Sequence, residues 1–254
     1  MKNNVGAITQ IPVTKKTMKN IITLALLLAG AAVTANAQSI ISWKFNNGAA
    51  IPQNGTAFAG VDNAAYWNSS QGAVGNLLAN DGNSSGVSMT LTGQVGAWGI
   101  GGAPAPDPNG LYNDAIFAGY ANTVTATPNT LSLTGISDSQ YNVIVYFSSD
   151  TDGRAGTISD GATTYDFSTM TRSMLNSGAN ATFTQTTDTT SANPSADYAV
   201  FSDLTGASQT LTLTAGVNGM GISGFQIVAV PEPGTMALAA LGGASLLFWR
   251  RRSK

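Results

Sequence analysis

Short runs in which apolar and polar residues alternate are the main pattern between Gln38 and Val230. Val87 to Thr92 places Val, Met and Leu on one face and hydroxyl groups on the other, and Gln209 to Thr214 repeats this with two leucines. Tyr141 to Phe147 is apolar on both faces, which is typical of a strand buried between two layers. A period of two predicts β-strands rather than helices.

The same pattern predicts about ten short strands in all. The others are expected at residues 41–45, 123–127, 130–134, 163–167, 182–186, 197–202 and 222–230. Asx-Gly pairs such as Asp81-Gly82 and Asp160-Gly161 supply turns between them. Residues 111–120 are expected to form a short helix or a covering loop, and residues 101–110, which include three prolines, a loop. The sequence therefore predicts an all-β fold, an antiparallel β-sandwich of jelly-roll type, over residues 38–229.

The N-terminal segment has the three parts of a secretory signal peptide. An apolar run of 13 residues, Ile21 to Val33, follows a lysine-rich stretch at residues 15–19. Ala35-Asn36-Ala37 supplies the small-x-small cleavage pattern before Gln38. The run is shorter than the roughly 20 residues of a spanning helix. We expect residues 1–37 to be a signal peptide, with Met18 as the true start.

The C-terminal segment has a matching layout. Pro231-Glu232-Pro233 precedes Met236 to Trp249, a stretch of 14 residues without charge. At ~1.5 Å per residue this stretch reaches about 21 Å, and counting from Pro233 gives a marginal span of the ~30 Å hydrocarbon core. Arg250, Arg251 and Arg252 then hold that end on the cytoplasmic side. Residues 230–254 are thus expected to form a membrane-anchor helix that places the body outside the cytoplasm.

These features together resemble the PEP-CTERM sorting signal of exported proteins of Gram-negative bacteria. Glu232, the only glutamate of the chain, lies between the two prolines of the motif. The resemblance implies recognition and processing by an exosortase, a membrane cysteine protease, so that the anchor holds the inner membrane only transiently. It also implies an association with exopolysaccharide and biofilm matrix. The alternative is a simple tail anchor that stays uncut.

The body is similar to a recurring domain of exported PEP-CTERM proteins, which implies a secreted sandwich and no known activity. The similarity covers most of residues 40–229. It is carried by strand and turn patterns: Trp67-Asn68, Asp81-Gly82 leading into Val87–Thr92, Gly119-Tyr120, Tyr141–Phe147, Tyr198–Phe201 and Gly221–Val228.

Composition narrows the chemistry of this body. Histidine and cysteine are both absent, which excludes catalytic triads that need His, thiol chemistry, disulfides and zinc sites built on Cys or His. Twelve aspartates face only Lys44, Arg154 and Arg172 between Gln38 and Val230. Such an acidic body is not a nucleic-acid-binding surface.

One short stretch suggests a metal ligand set. Asp150 and Asp152 are spaced as in the opening of a calcium loop, where carboxylates two residues apart face one cation. The rest of an EF-hand loop, including its bidentate glutamate, is missing, and a hairpin turn explains Asp152-Gly153 without a metal. We therefore expect no metal or other cofactor, with calcium at Asp150 and Asp152 as the alternative.

Aromatic residues are the better indication of a ligand. Sugar rings stack on Trp and Tyr, and a platform for them is expected, if one exists, among Tyr66, Trp67, Trp98 and Tyr112. The favoured interpretation is that the tryptophans pack in the core.

Hydrolysis of a glycan would need two carboxylates across a groove. Asp62, Asp114 and Asp197 are the aspartates that look least like turn residues. The sequence thus predicts an exported, non-enzymatic cell-envelope or extracellular-matrix protein associated with exopolysaccharide. A carbohydrate-binding module is the first alternative, and a glycan-cleaving enzyme the second.

Overall fold

The structure, a computed structural model, describes residues 38–47, 51, 57–99, 111–170 and 183–231. Within these ranges the chain forms thirteen strands and one short helix. They are β1 (Ile40–Phe45), β2 (Asn68–Ser70), β3 (Ser88–Thr92), β4 (Gly96–Gly99), α1 (Asp114–Phe117), β5 (Gly119–Asn122), β6 (Asn129–Thr134), β7 (Tyr141–Ser149), β8 (Ala155–Ser159), β9 (Thr164–Thr169), β10 (Ser195–Ala196), β11 (Tyr198–Leu204), β12 (Ser208–Ala215) and β13 (Met220–Ala229).

The long strands form two sheets. The first has the order β11-β7-β13-β1-β2 and the second the order β10-β9-β8-β12-β6-β3, while β4 and β5 form a separate ribbon. The chain changes sheet from β2 to β3, from β6 to β7, from β7 to β8, from β10 to β11, from β11 to β12 and from β12 to β13. Every pairing is antiparallel except the short parallel ones of β2 and β10. This alternation between two sheets is the jelly-roll topology, and the predicted all-β sandwich is confirmed.

The inner face of the five-stranded sheet packs against the six-stranded sheet through apolar side chains. Trp43 stacks on Phe225 with ring centroids 5.6 Å apart. Phe147 of β7 stacks on Phe167 of β9 at 3.6 Å and so joins the two sheets. Leu131 and Leu133 of β6, like the leucines of β12, are fully buried in the same cluster. The alternation along each strand directs these residues inward.

The outer face of the five-stranded sheet is covered as well. Residues 57–67, α1 and Phe183 lie over it and form a second apolar cluster with Tyr146 and Tyr198. The Tyr146 ring lies 5.9 Å from that of Phe117 and 5.7 Å from that of Phe183. The two covered faces explain why β7 is apolar on both sides.

The sheet edges are protected by short bridges. Val74 and Met89 exchange two backbone hydrogen bonds of 2.9 Å, which covers the outer edge of β3. At the edge of β11, the Thr186 N–H donates to the Tyr198 carbonyl at 2.9 Å. Capping of this kind prevents edge-to-edge association of sheets.

Two of the predicted strands are wrong. Residues 123–127 form a tight turn, in which the Thr127 N–H donates to the Val124 carbonyl, and the preceding strand is β5. Of residues 182–186, the described part makes only a single bridge from Gln185 to Tyr198. Hydroxyl-rich alternation also occurs in turns, where Thr side chains bond to nearby backbone groups instead of packing on a sheet.

Candidate functional site

The two ends of the sandwich lie side by side at one end of the five-stranded sheet. Because β1 and β13 are antiparallel with Ile40 opposite Val228, Gln38 comes next to Ala229. The Gln38 Nε2 donates to the Ala229 carbonyl at 2.7 Å, and the Ala229 N–H donates to the Ser39 carbonyl at 2.9 Å. The predicted signal cleavage point and the start of the predicted sorting motif therefore meet at one place.

The backbone hydrogen bonds that continue β13 end at Val230, the residue before Pro231. The Val230 N–H donates to the Gln140 carbonyl at 2.9 Å. Pro231 is exposed and has no N–H group with which to continue the ladder. The other residues of the predicted sorting signal, Glu232, Pro233 and Arg250 to Arg252, lie outside the described residues, as do the predicted signal peptide and Met18.

Two aspartates lie in the turns around this exit. The Gln140 Nε2 donates to an Asp203 carboxylate oxygen at 3.0 Å. The Tyr141 hydroxyl donates to the Gly206 carbonyl at 2.9 Å and holds the second turn on the sheet. Burial raises the pKa of Asp138 in the first turn above its usual value. Two aspartates, Asp138 and Asp203, therefore lie in turns near the end of β13.

A buried polar network fastens the covering segment to the outer face of the sheet. The Gln226 Nε2 donates to the Asp62 carbonyl at 2.6 Å and to the Ser42 hydroxyl at 3.1 Å. Its Oε1 accepts from the Tyr146 hydroxyl at 2.6 Å and from the Asp62 N–H at 3.3 Å. Two of the four hydrogen bonds of Gln226 therefore hold the loop at residue 62, and the other two fix the amide to β1 and β7 of the sheet.

Tyr146 and Gly60 complete this network. The Tyr146 hydroxyl accepts from the Val61 N–H at 2.8 Å, and complete burial raises the pKa of Tyr146 well above its usual value. Gly60 has a φ of +103°, and a Cβ there would lie 2.5 Å from the Gln226 Oε1. Only glycine fits this approach, since any side chain would displace the amide of Gln226.

Ionisable groups also lie in this outer layer. Lys44 is 1% exposed, and burial lowers its pKa to about 8. Burial, followed by the nearby charge of Asp114, raises the pKa of Asp197 to about 6, while a hydrogen bond from the Thr184 N–H at 2.8 Å opposes that shift. The fold therefore buries one basic and one acidic side chain in this layer.

Asp114 and Asp197 lie close enough to interact, but they do not line an open groove. Asp197 is 7% exposed and Asp114 is 9% exposed. Asp62 is half-buried, and its backbone rather than its carboxylate contacts Gln226. A glycosidic bond between two carboxylates needs open space for the sugar, which this buried arrangement of Asp114 and Asp197 does not provide.

Trp67 is buried, which agrees with the favoured interpretation of this tryptophan as a core residue and removes it from the alternative, a surface platform. Trp67 is 2% exposed, and its Nε1 donates to the carbonyls of Ala59 and Ala64 at 3.3 and 3.2 Å. Tyr112 is half-buried and packs against the same cluster. The large ring of Trp67 fills the space between the sheet and its cover, which explains why it is not available to a sugar.

The remaining two aromatic candidates lie elsewhere. Tyr66, next to Trp67 in the chain, is half-buried against Gly82 of the Asp81-Gly82 turn. Trp98 is 49% exposed on β4, whose four residues are all exposed. The four predicted residues are thus divided among the outer cluster, a turn and an exposed ribbon.

The loop with Asp150 and Asp152 is organised by an arginine. The Arg154 Nη2 lies 3.0 Å from an Asp150 carboxylate oxygen, and the Arg154 Nη1 donates to the Asn218 carbonyl at 2.8 Å. Asp152 lines an open cleft of about 310 Å³ together with Gly153, Thr169, Met170 and Ser195. Within the described residues, no group of three or more acidic side chains is placed to hold a metal ion.

The sorting signal is recognised by comparison with known families. A family model of the PEP-CTERM protein-sorting motif matches residues 229–252. This range includes Pro231, Glu232, Pro233 and the three arginines, so the resemblance to PEP-CTERM proteins is confirmed. The motif marks an exported protein that is sorted by an exosortase. No curated protein matches the chain.

One solved structure that matches the chain is a family GH115 4-O-methyl-α-glucuronidase with specificity for decorated arabinogalactans. The two share 14% identity, with a TM-score of 0.29, over 45% of this chain. The match spans only 15% of the glucuronidase chain. Such a weak likeness carries no argument about fold or function.

In the part of this chain that the structure describes, no helix is long and apolar enough to cross a membrane.

Sequence reasoning missed the residues that hold the outer layer together. Gln226 and Ser42 lie at alternating positions within apparently ordinary strands, and nothing local distinguishes them from solvent-facing polar residues. Lys44 was the only signal, since it is one of three basic residues in the body and lies in a predicted strand. Its burial depends on loops that are distant in sequence.

Proposed function

We propose that the protein is a non-enzymatic component of the cell envelope or extracellular matrix, delivered by its C-terminal tail and associated with exopolysaccharide. The observation that supports it best is the PEP-CTERM motif at residues 229–252, which begins where β13 ends. In this proposal the signal peptide at residues 1–37 starts export, and the tail holds the sandwich at the inner membrane until an exosortase cuts it. The sandwich of residues 38–229 is then left at the cell surface or in the matrix.

The properties of the sandwich support this role. Both faces of the five-stranded sheet are covered, and the sheet edges at β3 and β11 are capped. A closed, acidic, cysteine-free domain stays soluble and keeps its fold outside the cell without a disulfide. The burial of Asp114 and Asp197 favours a binding or structural role over glycan cleavage.

A second candidate function, carbohydrate binding, is favoured by Trp98. This ring is 49% exposed, and neighbouring Val95 is 54% exposed, whereas Trp43 and Trp67 are buried. An exposed tryptophan on a ribbon presents an apolar face on which a sugar ring can stack.

Cell fractionation tests the sorting role. Glu232→Ala is expected to leave the uncut protein in the inner membrane, because it removes the only carboxylate of the motif. Asp152→Ala, which removes one exposed carboxylate from the β7–β8 loop, is the matched control and should be released like the natural protein. Release of Glu232→Ala at the natural level would refute the proposed sorting.

Calorimetry distinguishes the two candidate roles. The released protein is titrated with the exopolysaccharide of the producing cell, first with calcium and then with a chelator. Saturable heat that is lost in Trp98→Ala, but kept in the equally exposed control Val217→Ala, would establish a sugar site at β4. Heat that falls with the chelator would add calcium to that site. Equal heats of binding for Trp98→Ala and Val217→Ala would mean that Trp98 does not bind the exopolysaccharide and that other surfaces carry the association with the matrix.

A further inference from the structure

We propose that one face of the β4–β5 ribbon binds an uncharged sugar ring of a polysaccharide, with Trp98 as the stacking platform and Asn122 as the group that bonds to the sugar hydroxyls. This inference rests on the second candidate function, carbohydrate binding at Trp98, and it adds the rest of the site and the class of sugar. It follows from the register of the ribbon, the unpaired amide of Asn122 and the charges around them.

The register of the ribbon places Trp98 and Asn122 on the same face. Trp98 lies opposite Tyr120, and Gly96 lies opposite Asn122. Side chains two residues apart in a strand share one face, as do side chains directly opposite each other in a strand pair. Trp98 and Asn122 are therefore diagonal neighbours, at a separation of about 7–8 Å that an aromatic side chain can span.

Gly96 leaves open space on this face. A Cβ at Gly96 would meet no atom within 4 Å, and all four residues of β4 are exposed. The Trp98 side chain, two residues away along the strand, is 49% exposed. The glycine therefore forms a shelf, bounded by the indole of Trp98 and the amide of Asn122, on which a sugar ring can lie against the indole.

The amide of Asn122 has hydrogen-bonding capacity to spare. Its Oδ1 has no hydrogen-bond partner among the described residues, and an acceptor left alone in this way costs free energy. Asn122 is only half-buried, so rotation about its Cβ–Cγ bond can bring either end of the amide to the surface. Sugar hydroxyls both donate and accept, and they match the acceptor and donors of the amide. Asn129 also has an unpaired atom, Nδ2, but it is 0% exposed and out of reach of a ligand.

The charges near this face favour an uncharged sugar over a uronic acid. The Tyr120 hydroxyl accepts from the Asp150 N–H at 3.3 Å, which connects the ribbon to the β7–β8 loop. In that loop Arg154 pairs with Asp150, and the exposed Asp152 leaves a net negative charge. Of the two basic side chains that the structure describes, Arg154 is engaged by this pair and Lys44 is buried. A sugar carboxylate would therefore meet repulsion without a cation to offset it.

The proposed site lies at the far end of β13 from the sorting motif. The Thr123 N–H, next to Asn122, donates to the carbonyl of Met220, the first residue of β13, at 2.9 Å. The motif match begins at residue 229, at the other end of this ten-residue strand, which is about 30 Å away at ~3.3 Å per residue. The two sites do not overlap, so we expect sugar binding to be independent of tail processing.

Calorimetry with defined sugars tests the class of ligand. The released protein is titrated with hexasaccharides of glucose, mannose and galactose, and with hexagalacturonate as the acidic probe. We expect an uncharged hexasaccharide to bind at least about tenfold more tightly than hexagalacturonate. Its affinity should change by less than about twofold between about 50 mM and about 500 mM NaCl, because no charge pair contributes to it.

Three results of this titration would overturn the inference. Tighter binding of hexagalacturonate would contradict the class of sugar. No saturable heat with any uncharged hexasaccharide would reject the site, and heat with the exopolysaccharide of the producing cell would in that case leave carbohydrate binding standing. No heat with any of the four probes or with the exopolysaccharide would reject carbohydrate binding as well.

Two variants test the residues of the face. Gly96→Val fills the shelf without a clash at Cβ, so it should lower the affinity by about tenfold or more and leave the thermal midpoint unchanged. Gly75→Val, at another exposed glycine with open space around its Cβ position, is the matched control and should bind like the natural protein.

Asn122→Ala should weaken binding by about tenfold, as expected for the loss of a hydrogen bond, without lowering the thermal midpoint, because the oxygen that it removes has no partner in the protein. Natural affinity in both Gly96→Val and Asn122→Ala, together with lost affinity in Trp98→Ala, would overturn this face and leave a sugar site elsewhere around Trp98. Natural affinity in all three variants would reject both.

Discussion

The two faces of the five-stranded sheet are both buried, but by different means. The inner face packs ring against ring and leucine against leucine across to the second sheet, as in the stacked pair of Phe147 and Phe167. The outer face holds its cover through a buried amide, a tyrosine hydroxyl and the backbone at residues 61 and 62. Ionisable groups, including Lys44 and Asp197, are buried in this outer layer.

The difference shows how one sheet is stabilised in two ways. Apolar packing is non-directional and tolerates many sequences of the right volume. Buried hydrogen bonds require each partner in place, because a donor or acceptor left alone costs free energy. The outer face therefore depends on specific partners, which fix the path of residues 57–67.

Truncating a large buried ring, such as Phe147 on the inner face, should have the largest effect. Phe147→Ala removes the ring that joins β7 to β9 and leaves a cavity between the sheets, so we expect a loss of about 3–5 kcal/mol in the free energy of unfolding. Urea denaturation measures it. A loss below about 1 kcal/mol would mean that the two sheets do not depend on this contact.

Removing the buried amide should have the next largest effect. Gln226→Leu leaves the Tyr146 hydroxyl and the backbone at Asp62 without their partner, and we expect a loss of about 2–3 kcal/mol. Limited proteolysis should at the same time cut within residues 57–67 more readily. Gln209→Leu on β12 is the matched control, and an equal loss in both variants would refute a special role for Gln226.

The pH dependence of stability should distinguish the two layers. The fold raises the pKa of Asp197 to about 6 from an ordinary value of 3.8, so it favours the protonated carboxyl. The protonated Asp197 therefore contributes to the free energy of unfolding below pH 4, and this contribution is lost as the pH rises through 6. The expected loss in the free energy of unfolding is on the order of 2 kcal/mol.

Asp197→Asn should abolish that fall, since the amide oxygen still accepts from the Thr184 N–H and carries no charge. Urea denaturation at pH 4 and at pH 7 gives the comparison, with Asp203→Asn at an exposed position as the control. A fall of the same size in Asp197→Asn and in the natural protein would assign the pH dependence to another group.

The smallest effect is expected outside both layers. Trp98→Ala on the exposed ribbon should cost less than about 1 kcal/mol, whereas Trp67→Ala in the outer cluster should cost about 3–5 kcal/mol. Thermal denaturation of the two variants provides the measurement. Equal losses would mean that β4 belongs to the folded core.

The inner face was predictable from the sequence because alternation determines which side chains meet between two sheets. Val87 to Thr92, Tyr141 to Phe147 and Gln209 to Thr214 all lie in strands or at strand starts where the pattern predicts them. The outer layer was not predictable, since its partners are far apart in the chain: Gln226 bonds to Ser42, 184 residues away. Trp67 shows the same limit, as burial and not residue type decides whether a ring can bind a sugar.

The sorting signal was predictable for a different reason. Its prolines, glutamate, apolar stretch and arginines are consecutive in sequence and do not depend on tertiary contacts. What the sequence does not show is that the first strand and the last strand pair at this point, which brings Gln38 and Ala229 into contact.

Amide hydrogen exchange at the end of β13 tests whether the sorting signal is attached to the sandwich without a flexible linker. We expect the amides of Ala229 and Val230 to exchange at least about 100-fold more slowly than in an unstructured chain, because each donates to a carbonyl of the sheet. Exchange of both amides at the unstructured rate, with protection beginning only at Ile227, would show that a flexible segment precedes Pro231. That result would contradict the direct attachment of the tail to the central strand.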